Sequence, residues 1–386
     1  MNRVATLAFA CSVFASSPVV AGQAAASAGS ETCIASQRTL RENSSSTRNE
    51  RHVIEWRADG CEVTIRFEGR PRFTADFTEI ASLDGQGVFE IEENGRIDRQ
   101  LEIRTTRGAL EFAYTVDRAQ RPFDADGKTW LTSVLQQLFR RTAYASKERV
   151  AWLLRRSGPD GVLAEIAQMP SAYPQHAYMI ELLNQADPGR DVLTRMLKAA
   201  AAWDSDYYKA GLLESFSQRG GRDAELSKAA WAVVRSLGSD YYAAQATAAL
   251  LKAGAPVTRD DLARILADLD SDYYRMNVVK AASRQREDMT ELVLAAARET
   301  SSSYYRSEIL TWLLEEGRPQ GPALINVIRL SSELEGDYYR ARVLTHIARG
   351  RALEGAAREA YMRAAEGIAS PHYRRQALDA LGSSQD

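Results

Sequence analysis

The 386-residue chain is predicted to fold as α+β. A small antiparallel β-meander domain comes first, and a right-handed α/α solenoid of about eight helical hairpins follows. Three observations carry that expectation. Apolar residues alternate with charged ones between residues 50 and 120. Apolar spacing turns helical from about residue 121. A Ser-Asp-Tyr-Tyr motif then recurs roughly every 33 residues. Composition agrees with a globular chain: 45% hydrophobic, 26% charged, formal net charge −2. That balance argues against wholesale disorder and against the basic footprint of a nucleic-acid binder.

Residues 1–28 read as a secretory signal. Arg3 supplies a positive start, Val4 to Val20 is an uncharged apolar run, and Ala21, Gly22, Ala26 and Ala28 offer small residues for cleavage. A membrane anchor would need a longer run than this one, which Ser and Pro interrupt. A lipoprotein at Cys11 would want a larger residue than Ala8 three positions earlier. The expected location is periplasmic or secreted, with no stable membrane insertion after cleavage. Cys33 and Cys61 would then remain, and an oxidising compartment favours a disulfide between them over two buried thiols.

Residues 29–49 are expected to be a polar linker containing Cys33. Over residues 50–120 the strands are Val53-Trp56, Val63-Ile65-Phe67, Phe73-Ala75-Phe77, Val88-Phe89-Ile91, Leu101-Ile103 and Leu110-Phe112-Tyr114-Val116. Gly60, Gly69-Arg70-Pro71, Asp84-Gly85, Asn94-Gly95 and Arg107-Gly108 mark turns. One-sided alternation demands a cover. Residues 121–142 supply it, with Trp130, Leu131, Val134, Leu135, Leu138 and Phe139 on one helical stripe. Gly127-Lys128-Thr129 imitates the end of a P-loop, but Pro122 stands where that motif needs Gly. Asp124-Ala125-Asp126-Gly127 imitates a calcium loop whose next ligand position is Lys128. A turn and a helix start account for both.

Residues 143–386 form the repeat region. The doublets are Tyr207-Tyr208, Tyr241-Tyr242, Tyr273-Tyr274, Tyr304-Tyr305 and Tyr338-Tyr339, spaced by 34, 32, 31 and 34 residues. Weaker copies are expected at Tyr144, Tyr178 and Tyr373, which assigns 13 of the 16 tyrosines to the repeat. Ser or Gly before each Asp is expected to cap the helix, and the Asp to suit its positive end. Gly158, Gly220, Gly254, Gly317 and Gly350 stand near the expected left-handed C′ position. Second helices are expected at Val192–Ala201, Ala224–Leu237, Leu262–Leu269, Met289–Arg298, Ala323–Leu334 and Ala356–Ile368.

The unit length is similar to that of tetratricopeptide repeats, without their diagnostic pattern. The units resemble short HEAT-like hairpins over residues 143–382, a scaffold class whose usual activity is binding. With Arg121-Pro122-Phe123-Asp124-Ala125, the layout resembles uncharacterised bacterial exported proteins. Their repeats are similar to those appended to membrane metallopeptidases of the β-lactam-sensor type. The zinc helix His-Glu-x-x-His of those enzymes is absent here. The resemblance therefore implies an association with envelope sensing and no peptidase activity.

Adjacent helical residues point about 100° apart, so each doublet should pack one ring between units and leave the other at the edge of a face. The candidate binding face is the five doublets with Arg275, Arg306 and Arg340. Lys209 and Arg374 hold equivalent positions. Pairing of these cations with the recurring Asp206, Asp240, Asp272 and Asp337 is the expected internal alternative. No catalytic residue, metal ligand or cofactor is expected. His52, His176, His346 and His372 are scattered, and the acidic cluster Asp268, Asp270 and Asp272 reads as a solvated helix end. The expected partner is another envelope protein. Glycan or peptidoglycan binding through the tyrosines is the second reading, and a glycan-active hydrolase the third.

Overall fold

The computed structural model describes residues 40–47, 49–58, 60–85, 87–220, 222–283 and 289–382. The expected signal segment, Cys11 and Cys33 lie outside them. The α+β architecture is as expected: one antiparallel sheet, then a long run of helices.

Seven strands form a meander in the order β1 (Leu40–Thr47), β2 (Asn49–Ala58), β3 (Cys61–Glu68), β6 (Val88–Asn94), β7 (Arg99–Thr106), β8 (Ala109–Val116), β9 (Ala119–Arg121). A separate ribbon, β4 (Arg72–Phe73) with β5 (Ile80–Ser82), leaves the sheet between β3 and β6. Register places like beside like. Ile54 faces Ile65, Ile65 faces Ile91, Ile91 faces Leu101 and Leu101 faces Tyr114. All five are buried. They meet the apolar stripe of α1 (Ala125–Thr142), where Trp130, Leu131, Leu135, Leu138 and Phe139 are fully enclosed. Each such burial is worth about 1.5–3 kcal/mol. Glu93 is buried in this core. It accepts a hydrogen bond from Trp130 Nε1 and lies 3.6 Å from Arg99.

Two expectations in this region are corrected. Residues 40–47 are a strand rather than part of a linker, and β2 begins at Asn49. Leu40 to Thr47 shows no alternation because an edge strand is held by its backbone and tolerates polar residues. The expected Phe73-Ala75-Phe77 strand stops at Phe73. Thr74 Oγ1 accepts from the N–H groups of Thr78 and Glu79, and Phe77 takes φ 61°. These side-chain bonds give the backbone an alternative to the ladder. The resulting loop lays Phe73 and Phe77 edge-on to Phe139, at 4.9 and 5.6 Å.

The lookalike at the start of α1 also resolves. Asp124 caps the helix through the N–H groups of Asp126 and Gly127. Gly127 is required by a close approach: a Cβ there would sit 2.8 Å from the Phe123 ring. Phe123 in turn stacks on Phe112 at 4.9 Å. Cys61 opens β3, and its expected disulfide partner Cys33 lies outside the described residues.

The repeat region begins with α2 (Ser146–Ile166), which Gly158 (φ 64°) and Pro159 break into a hairpin of two helices. Pairs follow: α3 (Ala172–Gln185) and α4 (Arg190–Ala201), α5 (Asp206–Gly220) and α6 (Ala224–Val234), α7 (Asp240–Lys252) and α8 (Arg259–Asp268). The series continues with α9 (Asp272–Ser283) and α10 (Thr290–Glu299), α11 (Ser303–Trp312) and α12 (Gly321–Ser332), α13 (Asp337–Gly350) and α14 (Gly355–Glu366). A single helix, α15 (Pro371–Gly382), closes it. The described residues thus hold seven hairpins and a closing helix where about eight hairpins were expected.

First helices stack on first helices, from α3 to α15, while α4–α6, α8–α10, α10–α12 and α12–α14 pack in a second layer. A continuous apolar core runs between the layers. Gly254 adopts the expected left-handed φ of 78°, but Gly317 and Gly350 do not. Gly317 ends a π turn, Leu313–Gly317, and is needed for space: its Cβ would lie 2.7 Å from Leu313 Cδ1.

The two regions meet at a buried ion cluster. Glu165 accepts from Arg140 Nε and Nη2, both at 3.0 Å, and from Arg149 Nη2 at 2.5 Å. Arg149 also lies over the Phe139 ring at 4.6 Å. Burial works against the Glu165 charge, yet the two guanidinium groups prevail and hold its carboxyl below the usual range.

Candidate binding edge

Each doublet stands in the first turn of a first helix, so all ten rings project from one edge of the array. The division expected from the 100° step is realised. The leading tyrosines Tyr207, Tyr241, Tyr273, Tyr304 and Tyr338 are 46 to 62% exposed. The second rings, Tyr208, Tyr242, Tyr274, Tyr305 and Tyr339, are half-buried, and all but Tyr242 pack against the core.

The rings also join across units. Within a doublet the centroids are 4.9–5.2 Å apart. Each leading ring then meets the second ring of the next unit at 5.9–6.4 Å. Every one of these contacts is edge-to-face, at 62–76°. That is the geometry aromatic quadrupoles favour, worth about 0.5–1.5 kcal/mol a pair.

Three sequence assignments change. Tyr178 is fully buried in the core, and burial pushes its hydroxyl up to about 12. The matching position in α3 is Tyr173, which meets Tyr208 at 5.9 Å. Its signal was present in the sequence: Ser171-Ala172-Tyr173 stands 34 residues before Tyr207. Tyr373 fills the second-ring slot, with His372 in the leading one at 5.0 Å. Tyr144 belongs to the β core, edge-on to Phe67 at 5.3 Å. The ladder is therefore a zigzag of twelve tyrosines, from Tyr173 to Tyr373.

The aspartates stand in the first helical turn as expected and also reach across to the next unit. Asp206 Oδ2 accepts from the N–H groups of Gly238 and Ser239 at 2.9 and 2.7 Å. Asp240 accepts from Ser271 N–H at 2.6 Å, Asp272 from Ser302 N–H at 2.7 Å, and Asp337 from Ser370 N–H at 2.6 Å. Each clasps the loop that begins the next unit. Burial opposes the charge of Asp272, but the N–H groups of Ser302 and Ser301 and the Ser301 hydroxyl hold its carboxyl below the ordinary range. Ser303 takes the place of Asp in α11, and its Oγ accepts from Glu335 N–H at 2.7 Å. Ser239 and Ser302 make no side-chain cap.

The cations are corrected too. Arg275 is buried, donating to the carbonyls of Leu266 and Leu269 and to Asp272. Arg306 Nε donates to Thr300 O at 2.7 Å and Arg340 Nε to Leu334 O at 2.7 Å. Arg374 Nε repeats the contact on Ile368 O at 2.8 Å. These groups satisfy the open carbonyls at the end of the preceding helix, where a cation also suits the dipole. The expected pairing of cation with Asp is met directly by Arg275–Asp272 and loosely, at 3.9 Å, by Arg340–Asp337 and Lys209–Asp206. The arginines belong to the frame, and the exposed face is left to the leading tyrosines.

Among the described residues no group of three His, Cys, Asp or Glu side chains could hold a metal ion, and no helix is long and apolar enough to cross a membrane. The opposite ends of α5 and α7 border a shallow groove of about 550 Å³ lined by Glu214, Arg219, Arg222 and Lys252.

No protein-family model matches the chain, and no curated protein does. One solved chain, from work titled "Computational Design of Self-Assembling Cyclic Protein Homooligomers", aligns at 15% identity over 63% of this chain and 91% of that one. Its TM-score is 0.13, which supports no argument about this protein.

Proposed function

We propose that the protein is an exported, non-enzymatic scaffold of the periplasm or the exterior, which binds another envelope protein through the tyrosine edge of its helical repeat. The observation behind this reading is the row of five leading tyrosines, about half exposed although each has a second ring beside it inside. Exposed tyrosines in a fixed row offer large contact area at low entropic cost, and Tyr is enriched at interface hot spots. In this reading residues 1–28 are removed on export and Cys33 pairs with Cys61.

A photoreactive phenylalanine analogue at Tyr273 tests the proposal in cells. A discrete protein adduct that is absent when the analogue replaces exposed Glu316 supports it. Failure to trap any protein, together with saturable binding of the purified chain to sacculi, overturns it in favour of glycan binding. Export is checked separately by mass spectrometry of the mature N-terminus and by alkylation of Cys33 and Cys61.

A further inference from the structure

The charge around the tyrosine edge is sorted by direction. The arginines that follow the doublet positions turn inward: Arg275, Arg306, Arg340 and Arg374 are bound to carbonyls. In the loops that lead into the tyrosine helices, the residue three positions before each leading ring is exposed: Asp204, Gly238, Asp270, Ser301, Glu335 and Ala369. Three of these six are carboxylates and none is a cation. The carboxylates fall on alternate units, 66 and 65 residues apart. A ligand on this edge therefore meets half-exposed phenol rings beside negative charge. Aromatic faces attract ammonium and guanidinium groups, and the carboxylates add to that attraction.

The period of the edge restricts the ligand further. Packed helices lie about 8–10 Å apart. The zigzag sets an upper bound of the same size, since successive leading rings such as Tyr241 and Tyr273 are joined through Tyr274 by legs of 6.0 and 5.1 Å. A polyproline II chain rises about 3.1 Å per residue with three residues per turn, so one face repeats about every 9 Å. A β-strand repeats a face about every 6.6 Å and falls out of step within two units.

Resting on the protein-binding reading above, we propose that the partner segment is a basic, proline-rich polyproline II stretch. Its Lys or Arg residues, at every third position, lie over successive leading tyrosines and beside Asp204, Asp270 and Glu335. Such a segment also loses little entropy on binding, because its backbone is already extended.

The test uses the mature chain and labelled peptides. (Pro-Pro-Lys)5 is compared with a peptide of the same five lysines spaced by three prolines, and with purified sacculi. Binding of the period-three peptide tighter by about tenfold or more, with at least that loss in Tyr241→Leu/Tyr273→Leu/Tyr304→Leu, supports the proposal. Removing three rings also strips ladder contacts. The rim variant Asp204→Asn/Asp270→Asn/Glu335→Gln therefore reads the same site from exposed loops, and a loss of about tenfold is again expected. Equal affinity for the two lysine spacings overturns the proposal, as does indifference to the rim variant. If the Tyr273 cross-link traps a protein while neither peptide binds, this inference fails and the protein-binding reading stands. Saturable binding to sacculi alone removes both.

Discussion

The β domain and the helical array use aromatic side chains in opposite ways. In the β domain Trp56, Phe67, Phe89, Trp130 and Phe139 are wholly enclosed, and the core closes under one helix. In the array each unit puts one tyrosine half inside and keeps its neighbour half outside, five times in succession. Apolar residues are not lacking there, since the core between the two helix layers is complete without the leading rings. A closed core ends at its last strand, whereas a stacked one presents the same edge again with each unit. The exposed row is thus a property of the repeat rather than a deficit of burial.

Breaking the closed region should have the largest effect. Trp130→Ala removes a fully buried ring and one hydrogen bond to the buried Glu93 carboxylate, so a loss of about 3–5 kcal/mol is expected. Near-ultraviolet dichroism and denaturant unfolding would measure it. Helical dichroism surviving in the variant would show that the array stands without the β domain.

Asp272→Ala attacks one clasp, freeing the N–H groups of Ser301 and Ser302 and taking one of three acceptors from the Arg275 guanidinium. About 1–3 kcal/mol of stability should go. Hydrogen exchange would locate the loss at the start of α11.

Acid should act at the same points. The Glu165 and Asp272 carboxyls are held below their ordinary values, Glu165 by Arg140 and Arg149, and Asp272 by the N–H groups of the next loop, in each case against burial. Their contributions are complete above the unfolded carboxylate range and fade as pH falls through the depressed folded values. Melting temperature measured downward from pH 6 should fall, and the fall should be shallower in Glu165→Gln.

The smallest effect is expected from Tyr273→Leu. It removes two edge-to-face contacts but no buried group, and Leu keeps part of the apolar contact, so the loss should lie at the low end of the roughly 1–3 kcal/mol that two such pairs are worth. A loss several times larger would make the leading rings part of the frame and weaken their standing as a surface.

Periodicity made the array legible in the sequence, because five doublets with helical gaps leave few other folds. The meander was legible for the same reason wherever one face is buried. Leu40–Thr47 was not, since an edge strand needs no apolar alternation, and neither was the Thr74 turn, where side-chain oxygens outbid the ladder. At the edge, the alternation of inner and outer rings follows from the helical step. The destinations of Asp and Arg do not: both bond to backbone of neighbouring elements, and backbone partners leave no trace in residue identity. Tyr173 was missed because Tyr178 stands near Leu182-Leu183, a pairing that imitates the later units.

Among the five helices that carry doublets the clasps are uneven in one place. Asp206, Asp240, Asp272 and Asp337 bring a charged acceptor to the next unit, while Ser303 brings a neutral hydroxyl to Glu335. A hydrogen bond to a charged group is worth about 1.5–3 kcal/mol and a neutral one about 0.5–1.5 kcal/mol. The joint between α11 and α13 therefore has the weakest clasp among the doublet units, and the π turn at Leu313–Gly317 lies in the same unit. Under tension or heat the doublet units should part there first, into a longer segment carrying the β domain and a shorter one ending in α15.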